Sequence, residues 1–171
     1  MQNYFDLLKI KKSFDISLDS LEASYQELVR EYHPDKNMDR SSEEQAKAFQ
    51  NTSLINSAYE ILKSPLKRAT YLLELENINP FDETDTSMNM DFLMSQIELR
   101  EELDSFKSNQ DELGLDNFID KIKSLINDNV KNISVNFQKE ASLDIIKNLV
   151  RELKFYIQLQ SQAKTFLDEL I

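Results

Sequence analysis

The sequence predicts an all-α chain in two parts, and three observations carry that expectation. One glycine and three prolines stand in 171 residues rich in Leu, Lys, Glu, Gln and Ile, a composition that favours helix and leaves little from which to build a sheet. Apolar side chains recur at spacings of three and four along most of the length. That periodicity stops around "NINPFDETDTS", where Pro80 stands among Asn, Asp, Thr and Ser. The expected division is an N-terminal domain over 1–76, a linker over 77–88 and a C-terminal domain over 89–171.

The elements follow in order. A short first helix is expected from about Asn3 to Ile10, with Tyr4, Leu7 and Leu8 on one side. In "SLDSLEASYQELVREY" the residues Leu21, Tyr25, Leu28 and Tyr32 form a helical stripe that ends at His33 and Pro34, because a proline pushes the residue before it toward extended backbone. "SSEE" then supplies an N-cap and favourable first-turn charge for a third helix. Its expected apolar side holds Phe49, Ile55, Ala58, Tyr59 and Leu62, and Pro65 interrupts it or begins a further turn. Beyond the linker, periodic segments over Asn89–Ser108, Asp111–Phe137 and Lys139–Leu170 predict an antiparallel three-helix bundle.

Composition removes several classes of function. No cysteine and a single histidine leave no thiolate chemistry and disfavour a zinc site. No metal and no cofactor is expected, since neither a glycine-rich phosphate loop nor a serine-bearing elbow is visible. No apolar run reaches membrane-spanning length and the first residues do not resemble a targeting peptide, so a cytoplasmic location and no membrane partner are expected. A net charge of −11 would be repelled by phosphate backbones, which argues against nucleic acid. Residues 77–171 carry 18 acidic and 10 basic side chains, against 13 and 10 in residues 1–76.

Two places draw attention. The tripeptide His33-Pro34-Asp35, holding the one histidine, sits at a helix end where side chains point outward; chemistry and recognition both remain open from the residues alone. The other is a helical-wheel misfit. At about 100° per residue, Phe92, Gln96, Leu99, Leu103 and Phe106 share one face, while Leu93, Met94 and Ile97 fall roughly 100–200° away, among Glu98, Glu101 and Asp104. An apolar patch rimmed by carboxylates opposite the core suits partner binding; a wider core face or self-association is the alternative. In the last helix, Ile146, Leu149, Leu153, Tyr156, Gln160, Ala163, Leu167 and Leu170 make the expected core stripe, which leaves Phe155 roughly 200° from its centre and so in solvent.

The stretches "YFDLL", "YQELVREYHPDK" and "INSAYEILKSPLKR" together resemble the J-domain of DnaJ-type co-chaperones over about residues 3–76. "RATYLLEL" and "FLMSQIELREELD" extend the likeness to the HscB family of iron–sulfur co-chaperones across essentially the whole chain. The resemblance implies a J-domain, its helical hairpin carrying the His-Pro-Asp loop, followed by a C-terminal antiparallel three-helix bundle. It implies a non-enzymatic co-chaperone that stimulates the ATPase of a DnaK-type, HscA-like chaperone and delivers an IscU-type scaffold protein. His33, Pro34 and Asp35, flanked by Arg30 and Lys36, would then meet the chaperone; Leu93, Met94, Ile97, Glu98, Glu101 and Phe155 would meet the scaffold. Two departures stand out. Glu22, Glu27 and Glu31 lie in a helix that is strongly basic in general DnaJ-type proteins, and Ser105 occupies a place where an acid is usual. The alternatives are a J-domain adaptor for another client and a small hydrolase using His33 and Asp35.

Overall fold

The computed structural model describes residues 3–85, 87 and 89–170; the side chains of Pro34 and Asn37 also lie outside the described residues. Every regular element among them is helical, and the chain divides into two compact units, Met1–Leu72 and Leu73–Ile171.

The first unit is built on a hairpin of α2 (Leu18–Tyr32) and α3 (Ser42–Lys63), preceded by the single turn α1 (Tyr4–Leu7) and followed by α4 (Pro65–Glu74). Serines start the two long helices. Ser17 accepts from the Ser20 amide, and Ser41 and Glu44 form a reciprocal capping box. Pro65 opens α4, where a missing N–H costs nothing. Leu21 and Leu28 of α2 pack in the core with Ile55, Ala58 and Leu62 of α3. Two expectations need correction. In α1 the deepest residue is Phe5, fully buried with Leu8, whereas Tyr4 lies at the edge and stacks on Tyr71 with ring centroids 4.6 Å apart. In α3, Phe49 is 76% exposed and its neighbour Ala48 is buried instead. The buried Arg68 of α4 joins the pieces, donating from Nε to the Phe14 carbonyl at 2.7 Å and from Nη1 to the Leu62 carbonyl at 2.6 Å. It thereby satisfies an otherwise orphaned carbonyl in the last turn of α3.

The second unit is a three-helix bundle of α5 (Met90–Ser108), α6 (Glu112–Gln138) and α7 (Leu143–Asp168). Asn89, Asp111 and Ser142 cap their N-termini, each accepting a backbone N–H. The pairings Phe106 with Phe118 and Asn129 with Glu152 run antiparallel across α5–α6 and α6–α7, so α5 and α7 run parallel. Leu99 and Leu103, Leu115, Phe118 and Ile122, and Tyr156, Leu159 and Ala163 form the core. The one glycine serves a close approach. A Cβ on Gly114 would stand 2.4 Å from the Phe106 ring, so only hydrogen lets α6 start this near α5.

The α7 stripe is broader than the wheel predicts: Val150, Phe155 and Leu159 are buried, while Leu149 and Gln160 are only partly covered. The polar segment before α5 is held to α7 by charge. Asp85 accepts from Lys147 at 2.8 Å and from Arg151 at 2.9 Å, and Arg151 also donates to the carbonyls of Pro80 at 2.6 Å and Ser87 at 2.7 Å. The lysine's hydrogen bond, with those from Ser87, drives the Asp85 carboxyl far below the ordinary range.

Candidate functional site

The first candidate surface is the turn between α2 and α3. His33 ends α2 with φ −57° and ψ 137°, the extended backbone a following proline demands, and Pro34–Asn37 form one turn of 3-10 helix. Two contacts fix the turn. The Lys36 amide donates to the His33 carbonyl at 3.0 Å, and the Asp35 amide donates to Nδ1 of His33 at 3.2 Å. Nδ1 also stands 3.6 Å from the Asp35 carboxylate. The His33 and Asp35 side chains are 52% and 81% exposed. A pair this wet lacks the sheltered surroundings that a general base and its orienting acid require. Arg30, in the last turn of α2, and Lys36 are both exposed beside it. Pro34 contributes its backbone to the turn; its side chain lies outside the described residues.

Of the three glutamates on α2, Glu22 is occupied within the hairpin. Tyr59 of α3 donates its hydroxyl to Glu22, Gln26 donates to the same carboxylate at 2.8 Å, and the Tyr59 ring stacks on Tyr25 at 4.1 Å. Bonding to the carboxylate pushes the Tyr59 phenol up to about 12 and holds Glu22 below its usual value. Glu27 and Glu31 stay exposed, so the acidic character of this helix toward a partner rests on them.

The second candidate surface lies on α5. Met94 and Ile97 are 53% and 51% exposed, Leu93 is half-buried, and Glu98 and Glu101 are exposed around them. The helix thus presents three apolar side chains away from its core face of Phe92, Leu99 and Leu103. Phe155 departs from expectation. It is 6% exposed, meets the Phe92 ring edge-on at 5.7 Å and lies under the Arg100 guanidinium at 5.4 Å. The reason is geometric: α7 packs against both α5 and α6, so its buried arc is wider than a single stripe and reaches Phe155. Arg100 escaped the sequence reading, although its place one heptad beyond Leu93, on the same flank of α5, was available from the same wheel.

Among the described residues, no group of three or more His, Cys, Asp or Glu side chains is arranged to hold a metal ion. No helix among them is long and apolar enough to cross a membrane.

Comparison with known proteins covers both parts of the chain. The family model described as DnaJ domain matches residues 3–71, and the model described as HSCB C-terminal oligomerisation domain matches residues 88–164. Chaperone HscB from Vibrio cholerae is similar in structure with a TM-score of 0.84, at 31% identity and with 99% of each chain covered. Human co-chaperone protein HscB gives 0.86 at 26% identity, covering 96% of this chain and 82% of that one. The Jac1 co-chaperone from Saccharomyces cerevisiae, at 23% identity and 0.75 over 96% of this chain and 94% of its own, shares the fold.

Proposed function

We propose that this chain, which belongs to the HscB family of J-domain co-chaperones, stimulates the ATPase of a DnaK-type, HscA-like chaperone and presents to it an IscU-type scaffold protein of iron–sulfur cluster assembly. The observation that carries the reading is the capped 3-10 turn at His33–Asn37, which holds His33 and Asp35 outward between two packed helices. A turn already fixed loses little entropy on docking. The Asp35 carboxylate suits a charge-assisted bond from a partner arginine, and Arg30 and Lys36 suit acidic partner groups. Chemistry on ATP then belongs to the chaperone, and this chain acts by recognition.

The work divides between the two parts. Residues 1–76 would engage the chaperone, 77–88 would connect, and 89–171 would hold the scaffold. What supports the scaffold assignment is the exposure of Met94 and Ile97 beside Leu93, rimmed by Glu98 and Glu101. Each apolar side chain offers about 1.5–3 kcal/mol if fully buried, less the part already covered. Phe155 would support that surface from below rather than enter the partner.

The deciding experiment is an ATPase assay of an HscA-type chaperone with and without this protein, and with and without the scaffold. Stimulation by this protein that rises further with scaffold is expected. An unchanged basal rate would overturn the reading, and stimulation indifferent to the scaffold would favour an adaptor for another client.

A further inference from the structure

Beside the α5 patch the second unit holds an open groove of about 410 Å³, with the buried Phe155 among its lining residues. Its two walls are unlike in charge. One is the polar segment, whose acids are largely engaged: Asp85 with Lys147 and Arg151, and Asp82 with the amide and hydroxyl of Thr84 at 2.9 and 2.7 Å. The other wall is formed by α5 and α7; besides Arg151, which the segment engages, it carries Gln96, Arg100, Lys154 and Gln158, two further cations and two amides with no acid. Both cations rest on aromatic rings, Arg100 over Phe155 at 5.4 Å and Lys154 over Phe81 at 4.1 Å. Among the described residues neither makes an ion pair. A ring positions a cation without neutralising it. Two held cations without an ion pair therefore face the groove, with Glu83 on the opposite wall, in a half of the chain where acids outnumber bases 18 to 10.

The flank of α5 toward α7 carries Arg100 beside Lys154, with Asp104 one turn further along, and Glu98 and Asp91 stand on the far flank. We propose that the groove seats an extended, carboxylate-bearing segment of the same scaffold that covers Leu93, Met94 and Ile97, an inference that rests on the scaffold reading above. The amides of Gln96 and Gln158 suit the backbone of an extended strand, and Arg100 and Lys154 its carboxylates. With Arg100 and Lys154 at the groove and Glu98 and Asp91 across α5 from it, one orientation of the partner is favoured.

Two arms test this on the full chain. In the first, hexaglutamate is titrated at low ionic strength and amide resonances are followed. Shifts are expected at Gln96, Arg100, Lys154 and Gln158, abolished by Lys154→Glu, kept by Lys154→Arg and enlarged by Glu83→Gln, which removes an acid from the segment wall. In the second arm, Lys154→Glu should weaken scaffold binding by about three- to tenfold at low salt and flatten its salt dependence. Hexaglutamate shifts centred elsewhere, or unchanged scaffold affinity and salt slope in Lys154→Glu, would overturn the groove assignment while leaving the scaffold reading intact. Failure of the wild-type chain to bind scaffold would overturn that reading and the choice of occupant with it, even if the peptide binds the groove.

Discussion

At the scale of single residues, burial separates side chains that the wheel had grouped. Phe155 touches Phe92, Tyr156 and Arg100 inside the bundle, so Phe155→Ala should cost about 3 kcal/mol of stability, seen as a lowered Tm. Met94→Ala with Ile97→Ala removes half-exposed atoms and should leave Tm nearly unchanged while scaffold affinity falls about tenfold or more. His33→Gln should abolish ATPase stimulation with unfolding and scaffold binding unaltered, because an exposed turn contributes recognition more than core packing; full stimulation by that variant would remove His33 from its role. Glu152 gives a test of opposite character. Burial beside Tyr156 pushes its carboxyl up, while the Asn129 side chain donates to it at 3.3 Å and keeps its own Oδ1 buried without a partner. A raised carboxyl favours the folded state below its ordinary pKa, and that contribution is lost as pH rises through the raised value. Glu152→Gln should therefore raise Tm at pH 7, and the gain should vanish near pH 4.

At the scale of elements, helix limits were legible because local signals set them. Asn89, Asp111, Ser41 and Pro65 are caps or first-turn residues that act within a few positions of themselves. The His-Pro-Asp turn was legible for the same reason. What a single-stripe wheel left out was the second neighbour that a three-helix bundle gives each helix. α7 packs on both α5 and α6, and so Phe155 turned inward. Such a wheel also assumes a partner along the full length. α3 has 22 residues against 15 for α2, so its first turns run past the end of that helix, and Phe49 there faces solvent. Gly114 shows the same limit, since helix propensity alone would favour alanine by about 1 kcal/mol. The 2.4 Å approach to Phe106 reverses the sign: Gly114→Ala should destabilise by about 1–3 kcal/mol, measured by denaturant unfolding.

At the scale of the whole molecule, the polar break near Pro80 marked where apolar periodicity changes, while the chain divides into its compact units earlier, between Leu72 and Leu73, so that the segment around Pro80 belongs to the second unit. Contacts of the segment beyond that point escaped sequence reading, because Asp85, Lys147 and Arg151 are ordinary surface residues until the fold brings them together. If the functional division holds, residues 1–76 alone should retain measurable ATPase stimulation and show no scaffold binding. Tight scaffold binding by that fragment would reverse the assignment of the two units.

The Asp85 clamp also bears on the order in which the chain acquires its structure. Arg151 reaches the Pro80 carbonyl across 71 positions of sequence, with the whole of α5 and α6 enclosed between the two ends. So wide a loop can close only after α7 has met its neighbours, and a contact formed that late belongs to the native side of the folding barrier. Asp85→Asn should therefore quicken unfolding while the refolding rate stays as it was, in stopped-flow measurements across denaturant. A slowed refolding limb would instead set this charged knot among the first contacts the chain makes.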